Sequence, residues 1–450
     1  MKGPKPLTVV IKLGTSSIVD EKTHEPLLSI LSLIVETAVK LRKDGHKVVI
    51  VSSGAIGVGL QRMDVEKRPK HLSKLQALAA IGQCRLISLW DSLFAHLQQP
   101  VSQILLTRND IADRSRYLNA QNTMMELLEM GVIPIVNEND TLAVAEIKFG
   151  DNDTLSAITA AMVHAEFLFL MTDVDCLYDK NPRTNPDAQA IEVVDDISAI
   201  QADVSSAGSS LGTGGMGTKI VAARLATSAG VTTVITRSSS PGNIAKIVRY
   251  LQATKALALA SSQSKSQTPG VDETHFRALA SLEKPPLHTR FLPLSHPIRD
   301  RYFWLLHGLA PHGTIYIDSG AHLALADKAG LLPVGVLDVE GSFAQQEAVR
   351  LVVVERRAEA GPDGRLWGGN PVEVGRALVN YAAPEIARIK GHRSGMIESL
   401  LGYADSEYVA HRENVSLFGR ESRPVSPVHN GTPESAAGKE TKNGDNGIVA

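Results

Sequence analysis

The chain has 450 residues, 43% of them hydrophobic, with 46 Lys and Arg against 48 Asp and Glu. That length exceeds what one core sustains and predicts two domains, while the balanced charge gives no reason to expect a nucleic-acid or membrane surface. With two distant cysteines, no apolar run near the roughly 18 residues of a membrane span and too short an apolar start for a signal sequence, a soluble cytoplasmic protein handling small molecules is expected.

Up to about residue 251, short β-branched runs alternate with amphipathic stretches. Strands are predicted over 7–13, 47–51, 101–106, 132–136, 167–171 and 231–236, each mostly apolar, as in a sheet covered on both faces. Helices are predicted over 26–43, 70–98, 117–130, 154–164, 216–229 and 243–250. Such crossovers imply parallel strands with ligand loops at their carboxyl ends.

The first strand ends in VVIKLGTSS, which sets Lys12 beside a glycine turn, where an ammonium group can neutralise a phosphate. An edge lysine reaching solvent is the plainer alternative. The second strand runs into SSGAIGVG, a small-residue turn whose hydroxyls and N–H groups suit a carboxylate, with a plain tight strand–helix turn as an equal alternative; Ser53 belongs to it. Next comes a dense polar run. Asn137, Asn139, Asp140, Asp151, Asn152 and Asp153, with Glu138, outnumber what one helix cap needs, although capping competes for residues 151–153. These groups can bind an ammonium group and orient a metal-bound phosphate. Thr172 and Asp173 end the fifth strand where a nucleoside commonly sits, again with capping as the rival.

Residues 210–219, SLGTGGMGTK, nearly satisfy two phosphate-binding fingerprints. The dinucleotide pattern fails for want of a preceding strand and a later acidic residue, and the P-loop pattern fails because its lysine is one position out of register. Glycines, a helix start near Met216 and the adjacent Lys219 still make a phosphate loop.

From 251 to about 286 the composition turns to Ala, Ser, Gln and Thr, as in a flexible linker or surface insertion. Short strands are then predicted over 313–320, 335–340, 348–355 and 373–380, the pattern of a small β-barrel, with brief helices at 383–390 and 394–401. The expected domains are 1–255, catalytic; 256–290, linker or insertion; 291–415, the barrel; and 416–450, a disordered tail.

These loops suit phosphoryl transfer, in which a protein supplies mainly positioning and cations. No His accompanies a Ser or Cys in a nucleophile motif, and no zinc spacing occurs. A carboxylate acceptor, with a pKa of about 4, is already ionised at neutral pH and needs no general base.

VVIKLGTSS, SSGAIGVG, LLTRNDIADRSRYLNAQNT, VNENDTLAVAEIKFGDNDTLSA, LMTDVDCLYDKNPRTNP and SLGTGGMGTK together resemble the glutamate 5-kinases of the amino-acid kinase superfamily. The likeness spans about residues 7–250, and the downstream part resembles a PUA domain. It implies an α/β fold, a mostly parallel sheet sandwiched by helices, and transfer of the γ-phosphoryl group of ATP to the side-chain carboxylate of L-glutamate, the first step of proline synthesis, with Mg²⁺ held mainly through the nucleotide phosphates. Under it Lys12, Lys219 and Asp153 are the catalytic group, with Asp153 orienting the two lysines. Lys12, Thr172, Asp173, Thr213, Gly214, Gly215, Met216, Gly217, Thr218 and Lys219 would hold ATP, and Ser53, Asp140 and Asn152 would hold glutamate. Gly217 stands where some relatives have serine. The resemblance also implies a homo-oligomer, feedback by proline and a separate glutamyl-phosphate reductase as partner.

N-acetylglutamate kinase and aspartokinase resemble the chain in the same loops but lack the PUA domain. An RNA-binding role for that domain meets unfavourable charge: residues 311–415 carry ten Lys and Arg against fourteen Asp and Glu.

Overall fold

The computed structural model describes residues 6–142, 152–197, 215–263, 284–294, 297–298, 300–359, 361 and 364–418. Its first unit is built on an eight-stranded sheet: β1 (Thr8–Leu13), β2 (Lys47–Ser52), β3 (Val101–Leu106), β4 (Ile133–Glu138), β5 (Phe167–Thr172), β8 (Val193–Val194), β9 (Thr232–Arg237) and β10 (Thr289–Phe291). They run in the order β3-β4-β2-β1-β5-β9-β10-β8. The six long strands are mutually parallel, and β10 pairs antiparallel with β9. Leu177–Tyr178 (β6) and Ala190–Ile191 (β7) form a separate small ribbon.

Two cores follow from the period-2 alternation of strand side chains. Val9, Ile11 and Leu13 of β1, with Val48 and Ile50 of β2, face helices α1 (Leu28–Lys43), α2 (Ala55–Arg62), α3 (Leu72–Ala95) and α8 (Asn243–Gln263). Val10, Val49 and Val51 face the other way, against α5 (Arg114–Glu129), α6 (Asn152–Met162) and α7 (Met216–Ser228). Lys12 shares the parity of Val10, so its chain points toward α6 and α7. A short helix, α4 (Arg108–Ala112), follows β3 under a capping box in which Thr107 and Asp110 exchange hydrogen bonds.

The six predicted strands agree with the structure to within two residues at each end. Helix α2 was not predicted. Two glycines in eight residues depress helix propensity, and the helix forms because Gly59 in it and Gly82 in α3 let the two helices lie in direct contact: a Cβ on Gly59 would stand 2.1 Å from the Leu78 carbonyl oxygen, and one on Gly82 would stand 1.7 Å from that of Ala55. Gly54, just ahead, takes φ +100°, which only glycine adopts freely.

The expected linker 256–290 differs from the structure at both ends. Its Ala-rich start continues α8 to Gln263, as good helix formers do, and its end supplies β10, three residues too few to show periodicity. Residues 264–283 lie outside the described residues.

The second unit is a five-stranded sheet in the order β12 (Val336–Gly341), β11 (Gly313–Ile317), β13 (Ala348–Arg356), β14 (Trp367–Leu378) and β15 (Val415–Leu417). Only the β11–β13 pairing is parallel. Its core joins Ile315, Leu351 and Ala377 to Leu325, Ile386 and Ile389 of flanking helices. Segment 303–309, expected in the barrel, packs Phe303, Trp304 and Leu305 into the first unit's core. The Trp304 indole N–H donates to the Ile111 carbonyl at 2.9 Å, and Arg376 of β14 donates to that of Leu309 at 2.7 Å. Strand β15, Val415–Leu417, closes the second sheet and runs two residues into the expected tail 416–450, while 419–450 lie outside the described residues.

Candidate active site

Three helix starts meet at the carboxyl ends of β1 and β2. Helix α2 begins after Ser53, α6 begins at Asn152 and α7 begins at Met216. Side chains tie them together: the Asn152 Nδ2 donates to Ser53 Oγ at 2.8 Å, and the Thr218 hydroxyl donates to Asp153 Oδ2 at 2.8 Å. Converging helix N-termini present free N–H groups and positive dipole ends, a setting for anions.

Asp153 lies at the centre, fully buried. Lys12 Nζ is 2.5 Å from its Oδ1 and Lys219 Nζ is 3.3 Å from its Oδ2, with both lysines at most 6% exposed. Burial alone would raise this carboxyl's pKa, but the two ammonium groups, helped by Thr218, outweigh that and hold it at about 2. The capping alternative for Asp153 therefore yields: its oxygens face Lys12, Thr218 and Lys219. Two cations against one carboxylate leave the cluster with a net positive charge, suited to a phosphoryl group.

At the start of α7, Gly215 caps the helix with an extended backbone, and its N–H donates to Thr218 Oγ at 3.0 Å. Met216 and Gly217 occupy the first turn of α7. Thr213 and Gly214 lie outside the described residues. Lys12 pairs in register with Leu170, two residues short of Thr172. Thr172 donates to Asp173 at 3.1 Å, and Asp173 pairs with Arg183 on the loop beyond. Arg237, ending β9, braces the same rim by a two-pronged contact with Asp175, both arms 2.7 Å.

On the other side, Ser53 and Asn152 meet, and Asp140 lies two residues beyond β4 on the same rim. Two more residues complete this network. Asn137 accepts from Asn152 Nδ2 at 3.0 Å, and its own Nδ2 donates to Gln83 Oε1 at 2.8 Å. Asn137 stood within the polar run and was legible as a candidate. Gln83, inside a long amphipathic helix, carries no sequence signal that separates it from a solvated glutamine.

Among the described residues no cluster of three His, Cys, Asp or Glu could hold a metal ion, and no helix is long and apolar enough to cross a membrane.

The profile of the amino acid kinase family matches residues 7–237, and that of the PUA domain matches residues 313–401. The chain is 54% identical over 427 residues to a probable glutamate 5-kinase of Schizosaccharomyces pombe, across 94% of this chain and 96% of that protein. An uncharacterized protein of Saccharomyces cerevisiae is 49% identical over 422 residues, 92% of this chain and 99% of its own. A glutamate 5-kinase of a Cyanothece species is 45% identical over 412 residues, 91% and 99% respectively.

Proposed function

The chain belongs to the amino acid kinase family, and we propose that it transfers the γ-phosphoryl group of ATP to the side-chain carboxylate of L-glutamate, giving L-glutamyl 5-phosphate, the first step of proline biosynthesis. The observation that carries the reading is the pair of buried lysines on Asp153, at the junction of three helix starts.

In this reading a glutamate carboxylate oxygen forms a bond to the γ-phosphorus while the bond to the β–γ bridging oxygen breaks, and ADP leaves with that electron pair. The carboxylate is ionised at neutral pH, with an ordinary pKa of about 4, so no group has to remove a proton. Lys12 and Lys219 offset negative charge on the transferring group, which is where electrostatic stabilisation acts most strongly. Asp153 holds both ammonium groups in register. Ser53, Asp140 and Asn152 take glutamate, while Thr172, Asp173 and the segment Thr213 to Lys219 take ATP. Both Asp153 oxygens already face cations, so Mg²⁺ would be held mainly by the nucleotide phosphates and would supply further charge neutralisation there.

The finer properties belong to the same proposal: a cytoplasmic homo-oligomer inhibited by proline, passing its labile acyl phosphate to a separate reductase, with 1–255 as the catalytic domain. ATP-dependent formation of a hydroxamate in the presence of hydroxylamine tests the reaction. Glutamate is expected to be the preferred acceptor over aspartate and N-acetylglutamate; a higher rate with either of those refutes the assignment.

A further inference from the structure

We propose that Gln83 is a positioning residue that aims one buried amide oxygen, Oδ1 of Asn152, at the ammonium group of the acceptor amino acid. The inference rests on the reading of the Ser53–Asn152 cleft as the glutamate site.

The chain of orientation starts from a group that can only donate. The backbone N–H of Glu138 meets Asn137 Oδ1 at 2.9 Å, which sets the oxygen end of that amide as long as its nitrogen end has an acceptor of its own. Asn152 then has to present its Nδ2 to the same oxygen, at 3.0 Å, and that nitrogen also donates to Ser53 Oγ. The remaining end, Asn152 Oδ1, is turned away from these partners. It is buried and has no hydrogen-bond partner among the described residues. A buried carbonyl oxygen left in that state accepts an N–H and repels a carboxylate, so of the groups on glutamate it suits the ammonium.

Gln83 closes the relay from outside the cleft. Its Oε1 accepts from Asn137 Nδ2 at 2.8 Å, and Asn137 is 2% exposed, where water cannot readily replace that acceptor. Trp90, seven residues further along α3 and on the same helix face, donates to Ser52 Oγ at 3.2 Å. One face of α3 thus props the ends of both β2 and β4. Without Gln83, the Asn137 amide has to turn to find an acceptor, and the Asn152 oxygen loses its aim.

Glutarate has both carboxylates of glutamate and no ammonium group, and comparing the two substrates isolates the effect. In Gln83→Met, the KM for glutamate is expected to rise about tenfold, the loss of one well-placed buried hydrogen bond. kcat and the KM for ATP should stay within about twofold, and the kcat/KM preference for glutamate over glutarate should fall about tenfold. Gln83→Glu, which keeps an acceptor at the same reach, should hold that preference at or above the wild-type value. In an Asn152→Ala background, Gln83→Met should change the glutamate KM by less than about twofold, because the group it aims is gone. An unchanged preference in Gln83→Met, an equal loss on both substrates, or a lost preference in Gln83→Glu overturns the proposal. A wild-type protein inactive on glutamate overturns instead the reading of the reaction on which it stands.

Discussion

Lys12 and Lys219, 207 positions apart in the chain, reach opposite oxygens of one carboxylate, Asp153, at 2.5 Å and 3.3 Å. The first lysine comes from the end of a central strand and the second from the opening turns of α7. Asp153 is therefore the shared counter-ion of two groups that the proposed reaction needs side by side.

Replacing Asp153 with Asn keeps the shape and removes the charge. Both ammonium groups then repel one another in a buried site with nothing to hold them in register. Steady-state assay of Asp153→Asn should show kcat reduced about 10²-fold or more, as for removal of one electrostatic stabiliser. A kcat near wild type shows that the lysines need no such anchor.

The same carboxylate links stability to pH. Burial works against its ionisation, but Lys12 and Lys219 hold its folded pKa at about 2, below the ordinary 3.8. The unfolded chain thus takes up this proton first. The contribution, about 2 kcal/mol, is complete above about pH 4 and is lost as the pH falls through about 2. Denaturant unfolding of wild type and Asp153→Asn between about pH 5 and about pH 2 should give a steeper loss for wild type by roughly that amount; parallel curves contradict the assignment.

Helices α2 and α3 touch backbone to backbone, which makes Gly82 intolerant of a methyl group. A Cβ there would lie 1.7 Å from the Ala55 carbonyl oxygen and 2.6 Å from the Gly59 nitrogen. Gly82→Ala should lower the unfolding free energy by about 3 kcal/mol, toward the upper range for overpacking. It should also reduce activity, because the displaced helix begins beside Ser53. Gly242→Ala, where a Cβ meets nothing within 4 Å, should fall within about 0.5 kcal/mol of wild type. Equal melting temperatures for the two variants refute the close-crossing argument.

Much of this arrangement was legible in the sequence, for identifiable reasons. Strands buried on both faces read as apolar runs whatever surrounds them, so β1, β2 and β5 could be placed, and Lys12 with them. Asp153 and Lys219 stood out as charges beside a helix start. Helix α2 was obscured because its stability comes from contact with α3, which local propensity does not register. β10 was obscured because three residues set between Pro285-Pro286 and Pro293 carry no period. Gln83 was obscured for a third reason: a hydrogen bond to a residue 54 positions away is a tertiary fact, with no local signature in the helix that carries it.

The most direct test of the central claim is glutamate- and ATP-dependent hydroxamate formation by Lys219→Ala beside wild type. With Lys12 and Lys219 flanking the transferring phosphoryl as proposed, loss of one cation predicts a kcat about 10²-fold or more below wild type, with the glutamate KM little changed. A variant that turns over at the wild-type rate contradicts the account, because the second ammonium group on Asp153 would then play no part in the reaction.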